Sequence, residues 1–158
     1  MLNNNETIRH IIAYAREEPL SAFRIHHAVR ILCAAIQLIH DDVVDVPSII
    51  TILSSHMVFF CDVLRSCPSA GTSKELGLTR LGVVELLSAL ITIGFPIIVD
   101  RMSESSTFCV LLDLFFQHPW SNILHFQVTQ IFSALLHSNH RKVMHVGILK
   151  GPSLVQSL

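Results

Sequence analysis

Three short apolar strings recur along the 158-residue chain with the same internal pattern. VVELLSALI (83–91) aligns with VTQIFSALL (128–136) at an offset of 45 residues. VRILCAAI (29–36) aligns with VELLSALI (84–91) at an offset of 55 residues. A period of roughly 40–47 residues is typical of HEAT and armadillo arrays, in which stacked helical units share one continuous core. The repeat therefore predicts an all-α, HEAT/armadillo-like helical solenoid.

The repeat also assigns a role to one small residue in each string. Ala34, Ala89 and Ala134 occupy the same place in the three copies, where a small side chain lets a neighbouring helix come close. The offset between the first two copies is 55 rather than 45 residues because a Pro/Gly/Ser-rich internal linker, PSAGTSKELGL (68–78), lies between them.

Apolar periodicity and the positions of Ser, Thr, Gly and Pro predict where the helices begin and end. Strand signals are weak throughout the sequence. Helices are predicted over about 6–16, 21–40, 47–67, 79–94, 96–102, 106–117, 122–138 and 140–149.

The composition narrows the classes of protein. Apolar residues make up 51% and charged residues 15%, so a large apolar surface has to be buried in a core, a partner or a membrane. A net charge of −1 with scattered Lys and Arg argues against nucleic-acid binding. Residues 81–99 are long enough to span a bilayer, but Glu85 lies inside them and Gly94 and Pro96 break the helix. We therefore predict buried helices and no membrane contact, with a small membrane protein as the less favoured alternative.

The cysteines indicate a reducing compartment. Cys33, Cys61, Cys67 and Cys109 lie mostly inside apolar segments and lack the spacing of a disulfide framework. We interpret them as reduced, buried side chains of a cytoplasmic protein.

No catalytic motif is present in the sequence. GxSxG, the P-loop, HExxH, GxGxxG and paired CxxC are all missing, so we predict a non-enzyme without a cofactor. His137, His140 and His145 raise a metal hypothesis, but a solvated helix end is the better interpretation because no carboxylate or cysteine is near them. HDDVVD (40–45) is interpreted as a solvated turn, since it lacks the Gly and Glu of a calcium loop. We predict no metal site.

Two places could hold functional side chains. LLDLFFQHPWSNILHFQV (111–128) joins two apolar segments at a break that carries the only tryptophan, Trp120. We expect Trp120 to be buried against Phe115, Phe116 and Phe126 as the plug of a helical corner; the alternative is an exposed hot spot for a partner.

The other place is the start of a helix near residue 79. Thr79 is predicted to be its N-cap. Arg80 would then oppose the helix dipole, so we expect an acceptor outside its own turn, such as Asp113 or the carbonyls at another helix end. A partner contact is the alternative role for Arg80.

These two stretches, LGLTRLGVVELLSAL (76–90) and 111–128, resemble the SAPS-domain family, the regulatory subunits of protein phosphatase 6 and its fungal relatives. Glu75, Leu78 and Ser121 stand where the family pattern has Pro, Asn and Asn. The matching positions are Leu76, Gly77, Thr79, Arg80, Leu81, Leu112 to Phe116, Trp120, Asn122, Leu124, His125, Gln127 and Val128.

The resemblance implies a non-catalytic scaffold that binds a serine/threonine protein phosphatase catalytic subunit, directs it to substrates and takes part in assemblies with further scaffold subunits. Thr79, Arg80, Trp120, Asn122 and His125 are the motif residues that it offers for partner contact. The chain is shorter than a family domain, so we expect residues 1–158 to be a single helical-repeat domain that is part of a longer SAPS domain, a fragment or short form with uncovered apolar end faces. A generic helical-repeat adaptor with another partner is the alternative.

Overall fold

The computed structural model describes residues 4–39, 47–66 and 76–137, and within these ranges it consists of helices without strands. The helices are α1 Asn4–Arg16, α2 Ala22–Gln37, α3 Ser48–Ser55, α4 Met57–Ser66, α5 Gly77–Ile93, α6 Pro96–Glu104, α7 Thr107–Gln117 and α8 Asn122–His137.

The helices stack in two layers. One layer contains α2, α5 and α8, with α5 packed between the other two. In the other layer α1 packs on α3 and α3 on α6, while α4 packs on α7. Each of α2, α5 and α8 thus closes one unit of a short array, which confirms the predicted all-α, solenoid-like fold.

The packing follows the register predicted from the repeat. Ala22, Gly77 and Asn122 begin α2, α5 and α8, and these starts are separated by the same 55 and 45 residues that align the sequence strings. Arg30 and Glu85, which are also 55 positions apart, form an ion pair of 3.3 Å between α2 and α5. The two helices therefore run parallel and in register.

Burial along α5 shows that it is an interior unit. Adding 55 to the number of each buried residue of α2 gives a buried residue of α5. Subtracting 45 from the number of each buried residue of α8 also gives a buried residue of α5. Helix α5 thus buries both the face that α2 buries and the face that α8 buries. The resulting buried set is Thr79, Arg80, Gly82, Val83, Val84, Leu86, Leu87, Ser88, Leu90 and Ile91.

The repeated alanine does not mark the close helix contact that we expected. Ala34 is exposed, and Ala89 and Ala134 are only partly buried. The close approach of α2 and α5 is at Gly82 instead, where an added Cβ would lie 3.5 Å from Cγ1 of Val29. Aligned strings identified equivalent positions but could not tell which face of the helix they occupy.

Two predicted boundaries were wrong. The helix predicted over 47–67 is two helices, α3 and α4, bent by 50° around His56. The helix predicted from residue 79 begins two residues earlier, at Gly77. Its predicted end is confirmed, because Gly94 adopts the left-handed conformation (φ 85°) and Pro96 opens α6.

Several predicted features lie outside the described residues. These are the turn over 40–45, the helix over 140–149, Cys67 and most of the linker over 68–78. Of that linker, Leu76 precedes α5 and Gly77 and Leu78 are in its first turn. In the ranges that are described, no single helix is long and apolar enough to cross a bilayer. Helices α3 and α4 together would have the length and composition of a membrane span, but they are bent by 50°.

Candidate partner-binding surface

The corner between α7 and α8 is closed by backbone hydrogen bonds. The amide of His118 donates to the carbonyl of Leu114 at 3.1 Å and so ends α7. The amide of Ser121 donates to the carbonyl of His118 at 3.1 Å, which folds Pro119 and Trp120 into a tight turn. The amide of His125 then donates to the carbonyl of Ser121 as α8 begins.

A histidine rather than the tryptophan closes the inside of this corner. The His125 ring stacks on Phe115 with centroids 4.0 Å apart and planes 15° apart. Its Nε2 also donates to the carbonyl oxygen of Phe115 at 3.0 Å. Leu124 beside it is fully buried. His125 therefore joins the end of α7 to the start of α8.

Trp120 points away from the molecule, so the prediction that it is a buried plug was wrong. Its side chain is 94% exposed, because the tight turn places it at the tip of the corner. Phe116, Ile123 and Phe126 are also exposed. We call these four side chains the corner patch. Clusters of exposed large apolar side chains are characteristic of protein-binding surfaces.

Asn122, the remaining predicted residue of the corner, is the exposed first residue of α8. It lies between Trp120 and Ile123 in sequence and hence beside the corner patch. The structure thus brings Trp120, Asn122 and His125 into one corner, with the first two on its outside and His125 on its inside.

Thr79 has a different role from the predicted one. It lies inside the first turn of α5, and the residue that precedes the helix is Leu76, so Thr79 is not the N-cap. Its hydroxyl donates to the carbonyl oxygen of Ala22 at 3.1 Å. Thr79 therefore connects the first turn of α5 to the first residue of α2.

Arg80 is buried, with 8% of its surface exposed. Within the described ranges it forms no hydrogen bond, ion pair or cation–π contact, and the predicted contact with Asp113 is not made. Its positive charge nonetheless affects His118 at the corner. Burial, and then the positive charge of Arg80, lowers the pKa of His118. Arg80 thus lies on the side of α5 that faces the start of α8.

Over residues 4–39, 47–66 and 76–137, no three His, Cys, Asp or Glu side chains are placed to hold a metal ion. Burial raises the pKa of Cys33 to about 11, and the carboxylate of Glu85 adds to this rise. Burial also raises the pKa of Cys61 and Cys109. These three thiols are protonated at neutral pH, and Cys61 donates to the carbonyl oxygen of Ser105 at 3.2 Å. The prediction of reduced, buried cysteines is confirmed for these three.

An open groove of about 580 Å³ runs between α2 and α5. The Arg30–Glu85 pair lies in it, and Gln127 of α8 closes one side. This groove was not predicted from the sequence, although the aligned residues Arg30 and Glu85 are the signal that could have revealed it. The groove and the corner patch are thus two separate surfaces of the array.

The stacked helices place the chain in the class of helical-repeat proteins. Sequence comparison gives a more specific likeness: the SAPS family, described as SIT4 phosphatase-associated protein, matches residues 96–156. The predicted SAPS resemblance is therefore confirmed, and the corner patch lies inside the matched segment. Thr79 and Arg80 lie outside it.

Curated relatives agree with this assignment. Human serine/threonine-protein phosphatase 6 regulatory subunit 2 is 41% identical over 63 residues, covering 40% of this chain and 6% of the relative. Regulatory subunit 3-B of Xenopus laevis is 28% identical over 99 residues, covering 58% of this chain and 12% of the relative. Regulatory subunit 3 of Gallus gallus is 27% identical over 99 residues, covering 58% and 11%. The matches thus span only a small part of each relative. No solved structure matches the chain significantly.

Proposed function

We propose that this chain is a non-catalytic regulatory subunit that binds the catalytic subunit of a protein phosphatase 6-type enzyme. The observation that carries the proposal is the placement of the corner patch, with its 94% exposed Trp120, inside the segment that matches the SAPS family. Relatives that share this segment are named as regulatory subunits of phosphatase 6.

The exposed apolar side chains of the corner patch are unfavourable in water. Phe116, Trp120, Ile123 and Phe126 present apolar groups to water around one turn, and burying them in a partner would be favourable. Tryptophan is strongly enriched among residues whose truncation weakens binding. The stack of His125 on Phe115 holds this turn in one geometry, so the patch is preorganised before the partner arrives.

In this proposal the array directs the phosphatase to its substrates and contacts further scaffold subunits through its other surfaces, including the groove between α2 and α5. The setting is the cytoplasm. The chain itself supplies no metal ligands or nucleophile to the reaction, and the metals belong to the phosphatase.

Binding of the purified catalytic subunit tests the proposal. We expect the wild-type chain to bind and Trp120→Ala to weaken binding at least about tenfold, the range of a hot-spot residue. Val58→Ala is the matched control, because Val58 is an exposed apolar residue of α4 that lies near Arg101 and Ser105, at the opposite end of α7 from the corner. The proposal is wrong if the wild-type chain does not bind the catalytic subunit. Binding that Trp120→Ala and Val58→Ala leave equally unchanged would move the contact away from the corner patch.

A further inference from the structure

Three helices of the array begin at the same edge of the molecule. The Thr79 hydroxyl bonds the carbonyl of Ala22, so the first turns of α2 and α5 are adjacent. The positive charge of Arg80, in the first turn of α5, contributes after burial to the lowered pKa of His118, just before α8. Farther along, Gln127 of α8 lines the same groove as Glu85 of α5. The three helices are therefore parallel, and we call their adjacent first turns the N-terminal edge.

The first turns at the N-terminal edge hold no acidic residue, and the two carboxylates just before α2, Glu17 and Glu18, already accept from Arg24 and from the amide of Leu20. Each helix N-terminus carries a partial positive charge. Neither α2 nor α5 has a side-chain cap. Arg24 of α2 is paired with Glu17, whereas no carboxylate of the described residues contacts Arg80 of α5.

Arg80 makes this edge unusual. A guanidinium with 92% of its residue surface buried would ordinarily be expected to have an acceptor, because an unpaired buried charge is strongly unfavourable. Over the part of the chain that the structure describes, the side-chain polar atom sealed from solvent without a partner is Nδ1 of His26. The guanidinium nitrogens of Arg80, which also lack a partner, are not sealed and remain reachable from the surface.

From this geometry we propose that Arg80 and the first turn of α5 receive a carboxylate from an acidic segment of a partner protein. The planar guanidinium offers two parallel N–H donors to one carboxylate, and the free amides of the helix end add further donors. The same group would offset both the buried charge and the helix dipole. The identity of the partner, the phosphatase catalytic subunit, rests on the proposed function; the chemistry of the site does not.

Arg80→Met separates this role from a structural one. The substitution keeps a long apolar side chain in the buried space and removes the charge and the N–H donors of the guanidinium. Because Arg80 has no acceptor within the described fold, we expect the melting temperature of the variant to equal or exceed that of the wild-type chain. A fall of several degrees would overturn the proposal, since it would mean that the guanidinium supports the fold itself. Arg101→Met is the matched control, because Arg101 is half-exposed on α6 and is paired with Glu104.

Binding is measured in two arms at low salt. In the first arm an octaglutamate peptide is titrated into the wild-type chain, Arg80→Met and Arg101→Met. We expect Kd for Arg80→Met to rise at least about tenfold, as for a lost charge-assisted contact, and Kd for Arg101→Met to change by less than about twofold. Equal affinities for the two variants would overturn the proposal. A phosphoserine peptide of equal charge that binds far more tightly than octaglutamate would also overturn it, in favour of a phosphate ligand.

In the second arm the peptide is replaced by the dephosphorylated phosphatase catalytic subunit, and the same tenfold loss is expected for Arg80→Met. Wild-type binding that Arg80→Met leaves intact would overturn the proposal while the proposed function stands. If the wild-type chain binds octaglutamate through Arg80 but does not bind the phosphatase, the proposed function fails and the carboxylate site stands with a different partner.

Discussion

Helices α5 and α8 occupy equivalent positions in the array but differ in burial. Ile91 of α5 is 5% exposed, whereas Leu136 of α8, at the same repeat position, is 47% exposed. Val84 is fully buried and its counterpart Thr129 is exposed. The reason is that α5 has a helix of the same layer on each side, while among the described residues α8 has one on a single side. Position in the stack, as much as local sequence, therefore sets which side chains are available to a partner.

Truncating a leucine on each helix is the strongest test of this difference. Leu87→Ala on α5 removes a fully buried side chain and should lower the free energy of unfolding by about 2–5 kcal/mol. Leu136→Ala on α8 removes the same atoms from a half-exposed site and should lower it by less than about 1 kcal/mol. Urea denaturation of both variants measures the two losses. Equal losses would show that the outer side of α8 is covered in solution.

The corner at the start of α8 provides a second test. His125→Ala removes the stack on Phe115 and a hydrogen bond, and should lower the free energy of unfolding by about 1–2 kcal/mol. Trp120→Ala should change it by less than about 0.5 kcal/mol, because its side chain contacts mostly solvent. Thermal and urea unfolding give both values. A loss of 3 kcal/mol or more for Trp120→Ala, as expected for a buried aromatic residue, would restore the interpretation of Trp120 as a plug.

Gly82 inside α5 and Gly94, the residue that ends it, should respond to alanine with opposite signs. Gly94 has φ 85°, where an L side chain is strained, so Gly94→Ala should lower the free energy of unfolding by about 1 kcal/mol. Gly82 is inside the helix, and an added Cβ would lie at ordinary contact distance from Val29, so Gly82→Ala should raise it by up to about 0.5–1 kcal/mol. Thermal melts compare the two variants. A loss at Gly82 would mean that α2 and α5 cannot accommodate even a methyl group.

The smallest effect that we expect is a loss of stability on acidification, through His118 at the corner. Burial and the charge of Arg80 lower the pKa of His118 below the ordinary value of 6.5. Near and below pH 6.5 the unfolded chain therefore binds more protons at His118 than the folded chain does. The contribution of His118 to the free energy of unfolding is complete above pH 6.5 and is lost as the pH falls below it. Melting temperatures at pH 7.5 and pH 5.5 measure the loss. It should be smaller in Arg80→Met, and no difference between that variant and the wild-type chain would argue against the proximity of Arg80 to the corner.

The architecture was predictable from sequence because it depends on periodicity. The offsets between the apolar strings placed the starts of α2, α5 and α8 in register, and Gly94 with Pro96 ended α5 where predicted. These features are set by local backbone chemistry and by repeated apolar faces.

The details of the candidate surface were not predictable in the same way. Trp120 was expected inside because tryptophan is apolar, but its direction depends on the hydrogen-bonded turn from His118 to Ser121. The lack of an acceptor for Arg80 among the described residues is likewise a property of packing, since Asp113, the carboxylate predicted to pair with it, makes no such contact. Three-dimensional arrangement rather than residue type decides both cases.

The shared burial of α5 has a consequence for how the array opens. Unfolding α5 alone would expose the facing sides of α2 and α8 at once, whereas α1 has one neighbour of its own layer, α3, among the described helices. In a stack with nearest-neighbour coupling, the interior unit opens last and the ends fray first. Backbone amides of α5 should therefore exchange with deuterium only through opening of the whole array, and those of α1 should exchange through smaller local fluctuations.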